Sequence, residues 1–318
     1  MKNFAITGVA GYIAPRHLQA IKETGNSLVA AIDPHDSVGI LDKYFPNVSF
    51  FTEIERFDRH LDKLHRYSKY SAIDFLSICS PNHLHDAHIR LALRLGANAI
   101  CEKPLVIKPS NLDALEILEN ETEKKIYNIL QLRVHPTIIE LKKRIENENK
   151  SGKYNVNLTY VTSRGPWYKY SWKGNIEKSG GVACNIGIHF FDLLMWLFGN
   201  VQTSQLYFSN PDKMSGFIEL KNANVKWFLS IDKSDLPEEA IRLNQSTYRS
   251  ITIDGHEIEF TKGFTDLHTV VYQDILNGGG FGIKDARASI ELVYQIRNTV
   301  PVHFQNPHPY LINHGITE

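Results

Sequence analysis

Phe4-Ala-Ile-Thr-Gly8-Val-Ala-Gly11-Tyr-Ile-Ala14 is the stretch that decides the fold. A short apolar strand runs into a glycine turn, and a helix is expected from about Pro15 to Thr24. Strand, glycine turn and helix form the dinucleotide-binding order: Gly8 permits the tight turn, Gly11 lets backbone approach a pyrophosphate, and Ala14 is small enough for close helix packing. The glycine spacing is one residue longer than G-x-G, so context has to support it. It does: Leu28-Val-Ala-Ala-Ile32 reads as the next strand and ends in Asp33, where an acidic residue binds adenosine ribose hydroxyls. No Arg or Lys follows before Lys43, which favours NAD over NADP. Asp33 also reads as a turn carboxylate before Pro34, and both readings stay open.

Working outward, the run after the second strand alternates helix, short strand near Val48–Phe51 and a long helix rich in Arg, His and Lys, a solvated face. Ile73–Cys79 is a continuous apolar run of the kind a central parallel strand needs, and it ends in Ser80-Pro-Asn-His-Leu-His85. A helix to Gly96, strand Ala97–Cys101, helix Ser110–Lys124 and strand Ile126–Leu130 complete a parallel sheet. Glu102-Lys-Pro-Leu105 stands at a strand's carboxyl end, where open α/β sheets bind ligands. Lys103 is therefore placed for binding; its alternative is an exposed loop lysine.

Beyond about Asn149 the pattern changes to long alternating strands at 155–162, 203–210, 215–220, 225–232 and 250–260. They predict an antiparallel sheet with a helix on one face and a second domain. The expected domains are 1–133 and 134–318. In Gly180-Gly-Val-Ala-Cys-Asn-Ile-Gly-Ile-His-Phe-Phe-Asp192, residues Asn185, His189 and Asp192 share one face of a mostly apolar helix. A buried polar stripe needs partners, either structural ones or substrate. Before it lies Ser163-Arg-Gly-Pro-Trp-Tyr-Lys-Tyr-Ser-Trp-Lys173, which reads as a ligand lid or as an aromatic cluster stapled to the core. Its bases Arg164, Lys169 and Lys173 have no acidic neighbour in sequence, and a phosphate or carboxylate would neutralise them. A helix opening at Gly263–His268 and closing at Asn277–Gly280, then an amphipathic helix at 283–300, end the chain.

Composition narrows the function. Lys+Arg and Asp+Glu number 35 each, so no net field recruits nucleic acid or an acidic membrane surface, and neither partner is expected. The three cysteines show no C-x-x-C spacing, so no metal site and no disulfide framework are expected. No run approaches the ~18 apolar residues of a span, and no basic leader precedes the first strand. The compartment expected is the cytoplasm. No internal repeat or low-complexity segment interrupts the pattern.

Together the glycine turn, Ser80-Pro81, Glu102-Lys103-Pro104, and Gly180-Gly181 leading to His189 and Asp192 resemble the Gfo/Idh/MocA oxidoreductase family. The runs 11–17, 128–133, 162–165 and 263–269 further resemble its UDP-N-acetylglucosaminuronate 3-dehydrogenases of bacterial O-antigen synthesis, the WlbA/WbpB type. The resemblance implies an α/β Rossmann domain followed by an α+β domain with a large, mainly antiparallel open sheet. It implies NAD, a UDP-sugar uronate oxidised at C3, 2-oxoglutarate as second substrate, and a homotetramer. Lys103, His189 and Asn185 are the implied catalytic residues. Gly8, Gly11, Tyr12, Ile13, Asp33, Ser80, Pro81, Asn82, His85, Glu102, Lys103 and Gln131 would bind cofactor. Lys103, Arg164, Trp172, Lys173, Asn185 and His189 would bind the sugar. Many members carry Asp where Asn185 stands, so an acid's role at that position does not carry over. Other readings are a different sugar or inositol dehydrogenase of the same family, and a non-catalytic NAD-binding sensor.

Overall fold

The computed structural model describes residues 1–67, 71–148, 150–258, 266–305 and 307–313. The chain divides into two compact units, Met1–Val134 with Phe264–Arg287, and His135–Gly263 with Ala288–Glu318.

The first unit opens with β1 (Asn3–Thr7), α1 (Ala14–Glu23), β2 (Ser27–Ile32), α2 (Ile40–Tyr44), β3 (Ser49–Phe51) and α3 (Ile54–Tyr67). It continues with β4 (Phe75–Ile78), α4 (His85–Arg94), β5 (Asn98–Cys101), α5 (Pro109–Thr122) and β6 (Ile126–Asn128). All pairs are parallel in the order β3-β2-β1-β4-β5-β6, the Rossmann order. The strand order reverses between β1 and β4, so the glycine turn after one and Ser80-Pro81 after the other flank the crevice where such sheets take ligands. Every residue of β4 is buried, as a strand covered on both faces requires.

The second unit runs α6 (Pro136–Asn147), β7 (Tyr154–Thr162), α7 (Pro166–Tyr170), α8 (Ile176–Ser179), α9 (Ile188–Phe198), β8 (Val201–Ser209), β9 (Lys213–Leu220), β10 (Ala223–Ser230), α10 (Glu238–Arg242), β11 (Thr247–Ile253) and β12 (His256–Glu257). The sheet order is β12-β11-β7-β10-β9-β8. The sheet is mainly antiparallel, as expected, with one exception: β10 pairs in parallel with β7, and the other pairs are antiparallel. The expected strand over 250–260 partly falls outside the described residues. α9 lies on one face of this sheet, with Phe191 edge-on to the buried Trp227 ring at 5.3 Å. A Cβ on Gly187 would stand 2.6 Å from Leu229, so glycine sets how close the helix approaches β10. The neighbouring Phe228 points to the opposite face, as strand alternation requires.

α11 (Leu267–Leu276) returns to the first unit, which a single boundary at residue 133 does not contain. Val271, Tyr272 and Ile275 join Phe4, Leu18 and Ile21 in that unit's core. The division between units falls within α12 (Ile283–Arg297), and α13 (Pro309–Asn313) closes the described chain. Tyr310 packs on Phe228 at 5.2 Å, covering part of the second sheet's other face.

By length and composition alone the helical run Ile176–Phe198 passes as a membrane span, with mean hydropathy 1.5, contrary to the sequence expectation. Its most apolar window is 78% buried in the fold, which makes it a core helix.

Candidate active site

In the first unit, Gly8 has φ +74°, and a Cβ there would lie 2.6 Å from the Cys79 carbonyl and the Ser80 nitrogen. Only glycine lets the turn after β1 seat against the turn after β4. Gly11 donates its N–H to the Gly8 carbonyl at 3.0 Å, and Ala14 donates to Gly11 at 3.2 Å. Tyr12 is exposed, and Ile13 packs against the apolar core below. α1 carries no acidic residue in its first turn, so no side-chain anion competes for its positive end, although Pro15 offers no N–H and the Arg16 N–H donates to the Ile13 carbonyl at 3.0 Å. Asp33, at the end of β2, accepts from the Ala10 N–H at 3.0 Å and the His35 N–H at 2.9 Å. The turn-carboxylate reading of Asp33 is thus realised, and each oxygen keeps acceptor capacity.

The turns after β4 and β5 are tied together by His85. Its Nδ1 lies 2.7 Å from the Pro104 carbonyl and its Nε2 2.8 Å from the Ser80 carbonyl. Both ring nitrogens are thus engaged by backbone carbonyls, a structural tie beside the cofactor contact expected of His85. Burial draws its pKa down, while the two carbonyls and Glu102 act against that. The Ser80 hydroxyl meets His88 Nδ1 at 2.8 Å, and burial lowers His88 to about 4. Pro81 heads a tight helical turn, Asn82–Leu84, in which Asn82 is buried. Lys103 precedes a cis peptide to Pro104 and is partly buried. Gln131 begins the turn Gln131–Val134, and its buried Oε1 has no hydrogen-bond partner among the described residues.

Glu102 stands apart from the role expected for it. Oε1 lies 3.0 Å from His17 Nε2 and 2.9 Å from His268 Nε2, and Oε2 accepts the Lys103 N–H at 3.2 Å. His17 Nδ1 meets the Tyr272 hydroxyl at 2.7 Å, which meets Ser77 Oγ at 2.7 Å. Burial works to raise the Glu102 pKa, but the hydrogen bonds from His17 and His268 outweigh it and hold the carboxyl well below its usual range. Burial lowers His17. Expecting no metal, sequence reading missed this set of possible ligands, whose atoms lie within 4.8 Å of one another. Those atoms are already hydrogen-bonded to each other.

In the second unit the continuous α-helix expected around Asn185 is broken by a π turn, Ala183–Gly187, before α9 begins. Such turns widen the helix and re-aim side chains, often at functional sites. Asn185 Nδ2 donates to the Tyr168 hydroxyl at 2.7 Å, a partner the sequence did not identify. His189 lies edge-on to Tyr160 at 5.8 Å and against Phe190 at 4.3 Å, and Asp192 is buried. The aromatic and basic segment folds as α7 and a tight turn, Trp172–Gly174. Arg164 is exposed, and the Lys173 ammonium lies 5.7 Å from the Trp172 ring centre. Lys169 is a correction: Asp212, distant in sequence, pairs with it at 2.7 Å.

Residues 2–129 match the NAD-binding Rossmann fold of the GFO/IDH/MocA oxidoreductase family, and 142–241 match its C-terminal alpha/beta domain. The chain belongs to the Gfo/Idh/MocA oxidoreductase family. Its first unit is an NAD-binding Rossmann domain, and the Gly8 seat, the Asp33 carboxylate and the acid-free first turn of α1 fit that cofactor. Among solved structures, the WlbA (WbpB) dehydrogenase of Thermus thermophilus, in complex with NAD and alpha-ketoglutarate, is 51% identical over 98% of this chain and 100% of its own, with TM-score 0.94. The same dehydrogenase with NAD and UDP-GlcNAcA gives 50% identity and TM-score 0.93, with the same coverage. Among curated family members, the D-glucoside 3-dehydrogenase of Escherichia coli is 25% identical over 53% of this chain and 54% of its own length. The inositol 2-dehydrogenase of Rhizobium meliloti is 28% identical over 42% of this chain and 38% of its own. The chain thus spans about half or less of the length of these two relatives.

Proposed function

We propose that this family member is an NAD-dependent dehydrogenase that oxidises the C3 hydroxyl of UDP-N-acetyl-2-amino-2-deoxy-D-glucuronate to a ketone, with 2-oxoglutarate taking the hydride back. The observation that carries the reading is the 51% identity, over nearly the whole of both chains, to a dehydrogenase solved with NAD and alpha-ketoglutarate. Its second complex, with UDP-GlcNAcA, supports the sugar. When bound, NAD supplies the hydride acceptor. The chain's own residues hold ligands and move the proton. Gly8, Gly11 and the start of α1 cradle the pyrophosphate, and Asp33 takes the ribose hydroxyls. Arg164 and Lys173 meet the sugar nucleotide's negative charges. A base must take the C3 hydroxyl proton, because an alkoxide does not accumulate at neutral pH. An imidazole does this unaided, and a lysine ammonium stabilises the developing oxyanion, so His189 is assigned as base and Lys103 as the electrostatic partner. Asn185 holds the sugar. The same reading places the enzyme in lipopolysaccharide O-antigen sugar synthesis, as a cytoplasmic homotetramer.

The test is turnover of purified protein with the UDP-uronate, with and without 2-oxoglutarate. Little free NADH without the keto acid and steady ketone formation with it support the proposal. Unchanged steady turnover without a keto acid removes the role of 2-oxoglutarate. Preference for a free hexose or inositol over the UDP-sugar moves the assignment to another dehydrogenase of the family.

A further inference from the structure

Glu102 is buried where an ionised carboxylate is costly unless donors meet it. Three donors do: the Nε2 groups of His17 and His268 on one oxygen and the Lys103 N–H on the other. They come from α1, from the segment returning through α11, and from the turn after β5 itself. The carboxylate only accepts, so both Nε2 atoms carry hydrogen. His17 Nδ1 is then free to accept from the Tyr272 hydroxyl, and the Tyr272 oxygen accepts from Ser77. Neither histidine needs a charge to complete the pattern. Two of the sequence runs singled out above, 11–17 and 263–269, each deliver one of these histidines, and neither histidine has a part in the proposed chemistry. Their common target adjoins Lys103.

We propose that His17 and His268 are positioning residues for Lys103: by fixing both oxygens' orientation on Glu102, they fix the backbone from which the lysine side chain leaves the sheet. This rests on the assignment of Lys103 to the reacting group. A carboxylate free to rotate would release the Lys103 N–H, and an ångström of misplacement at a reacting group costs about 10²-fold in rate.

The test uses the full-length enzyme with saturating NAD, the UDP-uronate and 2-oxoglutarate, and compares His268→Phe, which removes the donor, with His268→Gln, whose amide reaches about as far as Nε2. Positioning predicts that H268F lowers kcat by about 10²-fold, while KM for the sugar and the Kd of NAD stay within about threefold, and that H268Q recovers most of the loss. A folded H268F with wild-type kcat overturns the proposal, as does a loss in H268F that H268Q does not recover. If H268F fails to fold, H268Q is compared with H268N, whose shorter amide falls short of Oε1: a higher kcat in H268Q at equal NAD affinity supports positioning, and equal kcat overturns it. Lys103→Met separates the two levels. Retained turnover there defeats the underlying assignment; lost turnover there with wild-type H268F defeats positioning alone.

Discussion

Two groups of polar side chains differ in what completes them. Around Glu102, the side chains of His17, Ser77, His268 and Tyr272 are all buried, and the hydrogen bonds run from one protein group to the next. Around Asn185, the Tyr168 and His189 side chains are only partly buried, and Arg164 stands in solvent. A buried network of hydrogen bonds rigidifies its surroundings, even with His268 Nδ1 left without a partner among the described residues, whereas partly exposed polar groups stay accessible to a ligand. The Glu-Lys-Pro triplet places adjacent residues in different surroundings: Glu102 is buried among its donors, and Lys103, the residue proposed for the chemistry, is partly buried.

The sharpest way to break that division is Lys103→Met. Turnover should fall by about 10²–10⁴-fold while NAD still binds, the range for losing a group that handles a proton or its charge. If K103M keeps turnover and His189→Asn loses it, the chemistry belongs to the second unit alone. Next comes Glu102→Gln, which leaves two buried imidazole N–H groups sharing a poorer acceptor. Unfolding in urea should show a loss of about 1–3 kcal/mol; a loss within error of zero would make the cluster incidental.

Acid should distinguish the same regions. His308, in the second unit, is lowered from 6.5 to about 3 by burial and then by Lys226. A depressed histidine pKa means that the unfolded chain takes up the proton first, so stability is lost as pH falls below 6.5 and the loss is complete near the folded value. Between pH 7 and pH 5 this amounts to roughly 2 kcal/mol, and His308→Asn, which keeps an acceptor for the Tyr310 N–H, should remove it from the pH dependence of unfolding. His17 acts in the same direction in the first unit, whereas the loss from Glu102 begins only as pH falls through the ordinary carboxylate range and continues below it. The smallest effects are at the surface. Arg164→Ala should raise the sugar KM about tenfold, the scale of one charge-assisted contact. Lys169→Ala should change it less than about twofold, because Asp212 already pairs with that lysine. Equal effects from both would place Lys169 among the ligand-facing bases.

The Rossmann order was legible because its signals are local: an apolar strand, Gly8, a helix, then a strand ending in Asp33. The Glu102 cluster was not, because its members lie far apart in sequence and His17, His268 and Tyr272 each look like ordinary positions on amphipathic helices. The return of α11 to the first unit was hidden for the same reason. The helix bearing Asn185 and His189 was legible from apolar density, but its π turn was not, since a one-residue widening leaves no periodic trace. Lys169 was misread because its partner Asp212 comes from a distant turn.

The most direct measurement follows the hydride itself. The UDP-uronate carrying deuterium at C3 is incubated with enzyme, NAD and 2-oxoglutarate, and the products are examined by mass spectrometry. The account predicts a 3-keto sugar without the label and 2-hydroxyglutarate carrying it at C2. Ketone formed with unlabelled 2-hydroxyglutarate, or with no 2-hydroxyglutarate at all, would contradict it.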